Sequence, residues 1–210
     1  MDGFGTRGQM FTLEGLASAL VLLGALFLAI GSVVVTPTTG GDIDQSTQTD
    51  LQQQADDILL MTAQSESQDL SSLVRYWSQS QRTFAGATNP RIGYGSEQLP
   101  GTFGELLNET FTQRSYFFNI ELAYRPANLS TGTQTVRMAY RGEPSDDAVT
   151  ASYTVTLYDN QTLTADNASQ NVELWQYDTN ATNSDDGYYP VPNAVEGPIY
   201  NVVEVRLLVW

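Results

Sequence analysis

The spacing of apolar residues changes twice along this chain. Gly15–Val35 carries no charge over 21 residues. A hydrocarbon core roughly 30 Å thick takes about 20 apolar residues at 1.5 Å rise, so the run predicts a transmembrane helix over 15–35. Thr36-Pro37-Thr38-Thr39-Gly40-Gly41 then interrupts it, because proline cannot continue the helical ladder and paired glycines are costly in it. From Gln48 to about Gln81, Leu51, Ala55, Ile58, Leu59, Thr62, Leu70, Leu73, Val74 and Trp77 recur at helical spacing, which reads as a core stripe. Ser65-Glu66-Ser67 separates two helices, with Asp69 or Ser67 placed to cap the second. A short helix is expected over Phe103–Phe111, after the turn-rich stretch Gly86–Gly101.

Past Ser115 the period becomes two. Tyr116, Phe118, Ile120, Leu122 and Tyr124 alternate with other residues; Val136, Met138 and Tyr140 predict a second strand, and Val149 to Leu157 a third. Asn171–Tyr177 is a weaker fourth. Tyr200–Trp210 is a strongly apolar fifth, expected at the centre of its sheet because such an edge would invite aggregation. Short strands joined by turn clusters predict an antiparallel sheet, and helices followed by strands an α+β fold. The expected plan is a leader over 1–14, the transmembrane helix, a linker over 36–47 and one α+β head over 48–210.

The charge narrows the classes of partner. Twenty-four acids against nine bases give a net charge of −15, and all nine bases are arginine. A carboxylate-rich, lysine-free surface points to a protein kept hydrated in a salt-saturated environment. Nucleic acid is not an expected partner, because no cationic footprint faces phosphates. Cysteine and histidine are both absent, which removes disulfides, thiolate metal sites, cysteine nucleophiles and the usual neutral-pH general base. No cofactor and no metal site is expected, and the chain does not read as an enzyme. Asp42-x-Asp44-x-Ser46 starts like a calcium loop, but Thr47 and Gln53 stand where glycine and a bidentate acid are needed. Asp146-Asp147 and Asn183–Gly187 read as solvated acidic turns.

Three readings compete for the N-terminal segment. A cleavable secretory signal would have a shorter apolar stretch with a small-x-small site after it, whereas Ala17-Ser18-Ala19 sits near its start. A plain membrane anchor fits the length. Arg7 before the run and Asp42, Asp44, Asp50, Asp56 and Asp57 after it place the N-terminus in the cytoplasm and the head outside. The third reading rests on Arg7-Gly8-Gln9, which resembles the processing site of type IV pilin-like proteins. The resemblance implies that a prepilin-type peptidase cuts after Gly8, and that the apolar helix stays on a mature chain starting at Gln9. Glu14 resembles the acid that, in this family, pairs with the freed amine of an adjacent subunit; a carboxylate at the edge of hydrocarbon is costly unless paired. The family places that acid fifth after the cut, whereas Glu14 stands sixth after Gly8.

Five N-glycosylation sequons begin at Asn108, Asn128, Asn160, Asn167 and Asn180, all after the apolar run. Each reads equally as a turn residue in a Ser/Thr-rich chain. The whole chain also resembles a group of secreted pilin-like proteins of halophilic archaea, whose functions are uncharacterised. The resemblance is carried by Arg7-Gly8-Gln9 with Thr12-Leu13-Glu14, Ala55 to Leu59, Phe103 to Leu107, Tyr140 to Ser145 and the segment from Tyr200. It implies a membrane-anchored cell-surface subunit, a minor pilin or pseudopilin, of a type IV pilus-like filament or its assembly or secretion machine. Its partners would be the membrane, other pilin-like subunits and the peptidase. The alternative is a single-span surface protein for binding or adhesion that does not polymerise.

Overall fold

The computed structural model describes residues 15–23, 41–96, 99–128, 131–169, 171–179 and 187–210. The chain divides into two units, 1–43 and 44–210. In the first, residues 15–23 are helical with exposed side chains. The transmembrane helix expected over 15–35 is corrected here, because no helix among the described residues is long and apolar enough to cross a membrane. Residues 15–23 would reach only about 13 Å at 1.5 Å per residue. The next helix, α1 (Gly41–Ala63), is long enough, but its sequence is interrupted by aspartates and glutamines. Residues 24–35 lie outside the described residues, as do Arg7, Gly8, Gln9 and Glu14.

The head is α+β, with helices and antiparallel sheets. Helix α1 begins at Gly41 rather than Gln48 and buries the expected stripe of Leu51, Ala55, Ile58, Leu59 and Thr62. The Thr62 hydroxyl donates to the Ile58 carbonyl at 2.8 Å, which lets a polar residue sit in the core. Helix α2 (Leu70–Val74) is capped by Asp69, whose carboxylate accepts from the Ser72 amide at 2.8 Å. It stops at Val74, well short of the expected Gln81. Trp77 is buried as the stripe implies, but in a two-residue strand β1 (Trp77–Ser78) paired with β2 (Thr83–Phe84). Packing decides this: the Trp77 ring meets those of Phe84, Tyr188 and Tyr189 edge-on at 5.3–6.2 Å, against the weak helical preference of aromatic residues. Helix α3 (Gly101–Thr110) follows and buries Phe103 and Leu107.

The main sheet contains β3 (Phe118–Tyr124), β4 (Gln134–Ala139), β5 (Val149–Tyr158) and β6 (Ile199–Val209) in the antiparallel order β4-β3-β6-β5. Strand β6 is central, between β3 and β5. Val203, Val205, Leu207 and Val209 are buried, and the residues between them line the opposite face. On that face Glu121, Arg206 and Ser152 stand in one cross-strand row. The expected fourth strand over Asn171–Tyr177 does not form. Leu174–Gln176 is instead a 3-10 turn with a reciprocal cap between Glu173 and Gln176. The Leu174 amide bonds to the Gln161 carbonyl at 2.7 Å, so this segment pairs with the chain leaving β5 rather than adding to the sheet.

Candidate functional site

Four of the sequence-predicted site residues, Asn108, Asn128, Asn160 and Asn167, lie among the described residues. The processing residues and Glu14 are outside the described residues, as is Asn180. Asn108 is half-buried on α3. Asn128 and Asn160 are exposed, Asn160 in the turn after β5. Asn167 is exposed as well, but its amide donates to the Ser78 hydroxyl at 3.4 Å. Among the described residues no group of three acidic side chains converges on a metal-sized space.

What the fold builds instead is a groove of about 740 Å³ at one end of the sheet, lined by Thr112, Ser115, Tyr116, Phe117, Tyr140 and Arg141, among others. Its first wall starts at Ser115, in the left-handed region at φ 66°, which turns the chain from the α3 side into β3. The Tyr116 amide bonds back to the Phe111 carbonyl at 3.0 Å. Phe117 and Trp210 exchange both backbone hydrogen bonds, at 2.9 and 3.1 Å, extending the β3–β6 ladder by one pair. Their rings stack at 6.2 Å, which holds Phe117 in place while it stays 54% exposed.

The second wall depends on a close backbone approach. Gly93 has φ 62°, and a Cβ there would fall 2.1 Å from the Met138 carbonyl oxygen. Only glycine fits, and the Tyr94 amide then bonds to Met138 at 2.8 Å. That pairing sets Gly95 and Ser96 beside Tyr140, Arg141 and Gly142, where the chain leaves β4.

Arg141 is the groove's charged group. Buried Asn119 on β3 fixes its backbone: Oδ1 accepts from the Arg141 amide and Nδ2 donates to the Gly142 carbonyl, each at 2.8 Å. The guanidinium lies 4.0 Å over the Phe118 ring, and Nη1 donates to the Thr112 hydroxyl at 3.0 Å. Nε is buried with no hydrogen-bond partner. Burial lowers the pKa of Arg141, although arginine stays charged in proteins. Among the described residues the ion pairs are Arg137–Glu121 at 3.9 Å and Arg206–Glu204 at 2.6 Å, and Arg141 belongs to neither. Beside it, the Tyr140 hydroxyl donates to Glu143 at 2.6 Å, which raises its pKa, and Arg137 lies 4.3 Å over the Tyr140 ring.

A second groove of about 440 Å³ lies on the open sheet face by Tyr124, Arg125, Glu204 and Arg206. There Arg206 holds Glu204 with two hydrogen bonds, at 2.6 and 2.8 Å, and keeps that carboxyl below its ordinary range. Arg206 there is already paired with an acid, whereas Arg141 of the first groove is not.

Sequence reasoning placed Arg141 only within a resembling segment and missed Asn119 altogether. The one available signal was an asparagine amid the apolar run of β3, since a buried amide needs partners. Fold and grooves together define an α+β domain whose antiparallel sheet packs with a helical layer. The chain belongs to DUF7288, a family of unknown function, whose family model matches residues 7–209. No curated protein and no solved structure matches it.

Proposed function

We propose that this protein is a non-enzymatic, surface-exposed pilin-like subunit, a minor pilin or pseudopilin, of a type IV pilus-like filament or of the machine that assembles or secretes through it. Its partners are other pilin-like subunits and a prepilin-type peptidase, and its exposed sequons are open to glycans. The observation that carries this reading is the uncharged run from Gly15. In its described part Leu16, Leu20, Val21, Leu22 and Leu23 are each 63–71% exposed. Adjoining apolar side chains left in water mark a surface meant for a partner, and packing against the same run of neighbouring subunits would cover them.

The mature N-terminus tests this. Mass spectrometry of protein from the native cell surface is expected to find a chain starting at or near Gln9, and an intact Met1 or Asp2 would overturn the reading. Glu14→Ala is expected to abolish filament incorporation with export unchanged. A second reading, a surface protein for binding or adhesion that does not polymerise, is favoured by the Arg141 groove. A processed chain that never co-purifies with filaments would select it.

A further inference from the structure

We propose that the groove beside Arg141 binds an acidic pyranoside, with the guanidinium taking the sugar carboxylate and the Phe117 ring taking the apolar face of the sugar ring. Two independent features converge there. The first is a fixed aromatic platform: Phe117 is locked by its backbone pairing and ring stacking with Trp210, yet over half of it faces solvent. A pyranose offers flat C–H patches that suit such a face, with hydroxyls at its rim for groups such as those of Thr112 and Ser115.

The second feature is the unbalanced charge. Arg141 is partly stripped of water and held by an amide scaffold, one hydroxyl and an aromatic face, none of them anionic. A buried charge is costly unless paired, and the arginine fork matches a carboxylate. The described arginines other than Arg137 and Arg206 also have no ion pair; Arg141 differs in standing in a groove beside an exposed aromatic ring, where an outside anion can reach it. A neutral sugar would cover the ring and leave the cation unpaired, while a small free carboxylate would pair the cation and leave the ring bare.

Full-length protein, at the lowest salt at which it stays folded, is titrated with trigalacturonate and with maltotriose as the uncharged counterpart, followed by calorimetry and tryptophan fluorescence. Trigalacturonate is expected to bind about tenfold or more tighter, the scale of one charge-assisted hydrogen-bond pair. Arg141→Gln is expected to erase the preference, and Phe117→Ala to weaken trigalacturonate binding about fivefold or more. Equal affinity for the two trisaccharides, no binding of either, or a preference that survives Arg141→Gln overturns the proposal and leaves Arg141 as a strut on Phe118. Acetate displacing trigalacturonate at equal carboxylate concentration overturns the role of the ring. Should Arg141→Gln fail to fold, Phe117→Ala at its exposed position still decides, since unchanged affinity refutes the site.

Discussion

Asn201 shows how much one buried amide can hold. It is fully buried at the start of β6, where Nδ2 donates to the carbonyls of Arg125 and Pro192 at 2.9 and 2.7 Å, and Oδ1 accepts from the Arg125 amide at 3.3 Å. The side chain thus ties the end of β3 and the loop before β6 to the central strand. Asn201→Ala would strand several buried backbone groups and is expected to cost about 2–3 kcal/mol in urea unfolding. A loss near zero would mean that water replaces the amide. Asn119 does the same work at the other end of the sheet, with Arg141 and Gly142 as its clients. Neither asparagine belongs to a sequon or a motif, so nothing in local spacing sets them apart from the surface asparagines.

At the scale of elements, the helical period of α1 separates neighbours sharply. Leu59 is 1% exposed and Leu60 46% exposed. Leu59→Ala is expected to cost about 2–5 kcal/mol, from lost transfer energy and the cavity left behind. Leu60→Ala is expected to stay within about 0.5 kcal/mol. Comparable losses at both positions in denaturant titrations would contradict the placement of this stripe. The strand period is equally legible in β5 and β6, because each presents one face to the core and one to solvent. It fails for Asn171–Tyr177, where alternation exists but the segment bonds to the chain leaving β5 and the reciprocal cap of Glu173 and Gln176 wins. It fails again at Trp77, where a ring cluster made by residues more than a hundred positions later outweighs helical spacing.

Over the whole molecule, titration follows from what is absent and what is buried. With no histidine and no cysteine, stability is expected to be nearly flat from about pH 6 to about pH 8.5. Tyr94, Tyr189 and Tyr200 then dominate. Burial raises each phenol above its ordinary value of 10.0, because the phenolate would lose its water. Tyr189 and Tyr200 donate their hydroxyls to the carbonyls of Val74 and Val191, and Tyr94 to that of Ala85. Above about pH 10 the unfolded chain releases these protons while the folded chain keeps them. The stabilisation is therefore complete below pH 10 and lost as pH rises, by about 1.4 kcal/mol per pH unit for each tyrosine. Urea midpoints should drop steeply between about pH 9.5 and about pH 11, and a midpoint unchanged across that interval would contradict the burial of these phenols.

The sequence by itself determined the properties that depend on neighbours within a few turns of chain. These are the burial of the α1 stripe, the Asp69 cap, the alternation of β3, β5 and β6, and the central place of the most apolar strand. An apolar run also appeared in it, but no membrane-crossing helix stands among the described residues, which include only 15–23 of that run. Tertiary structure alone decided the site. The Arg141 groove draws its walls from segments around residues 95, 115 and 140, and it exists because Gly93 lets one backbone touch another and Asn119 ties β3 to the chain leaving β4. Periodicity records which face of an element meets the core. It carries no record of which distant polar group will be left without a partner once the faces have met.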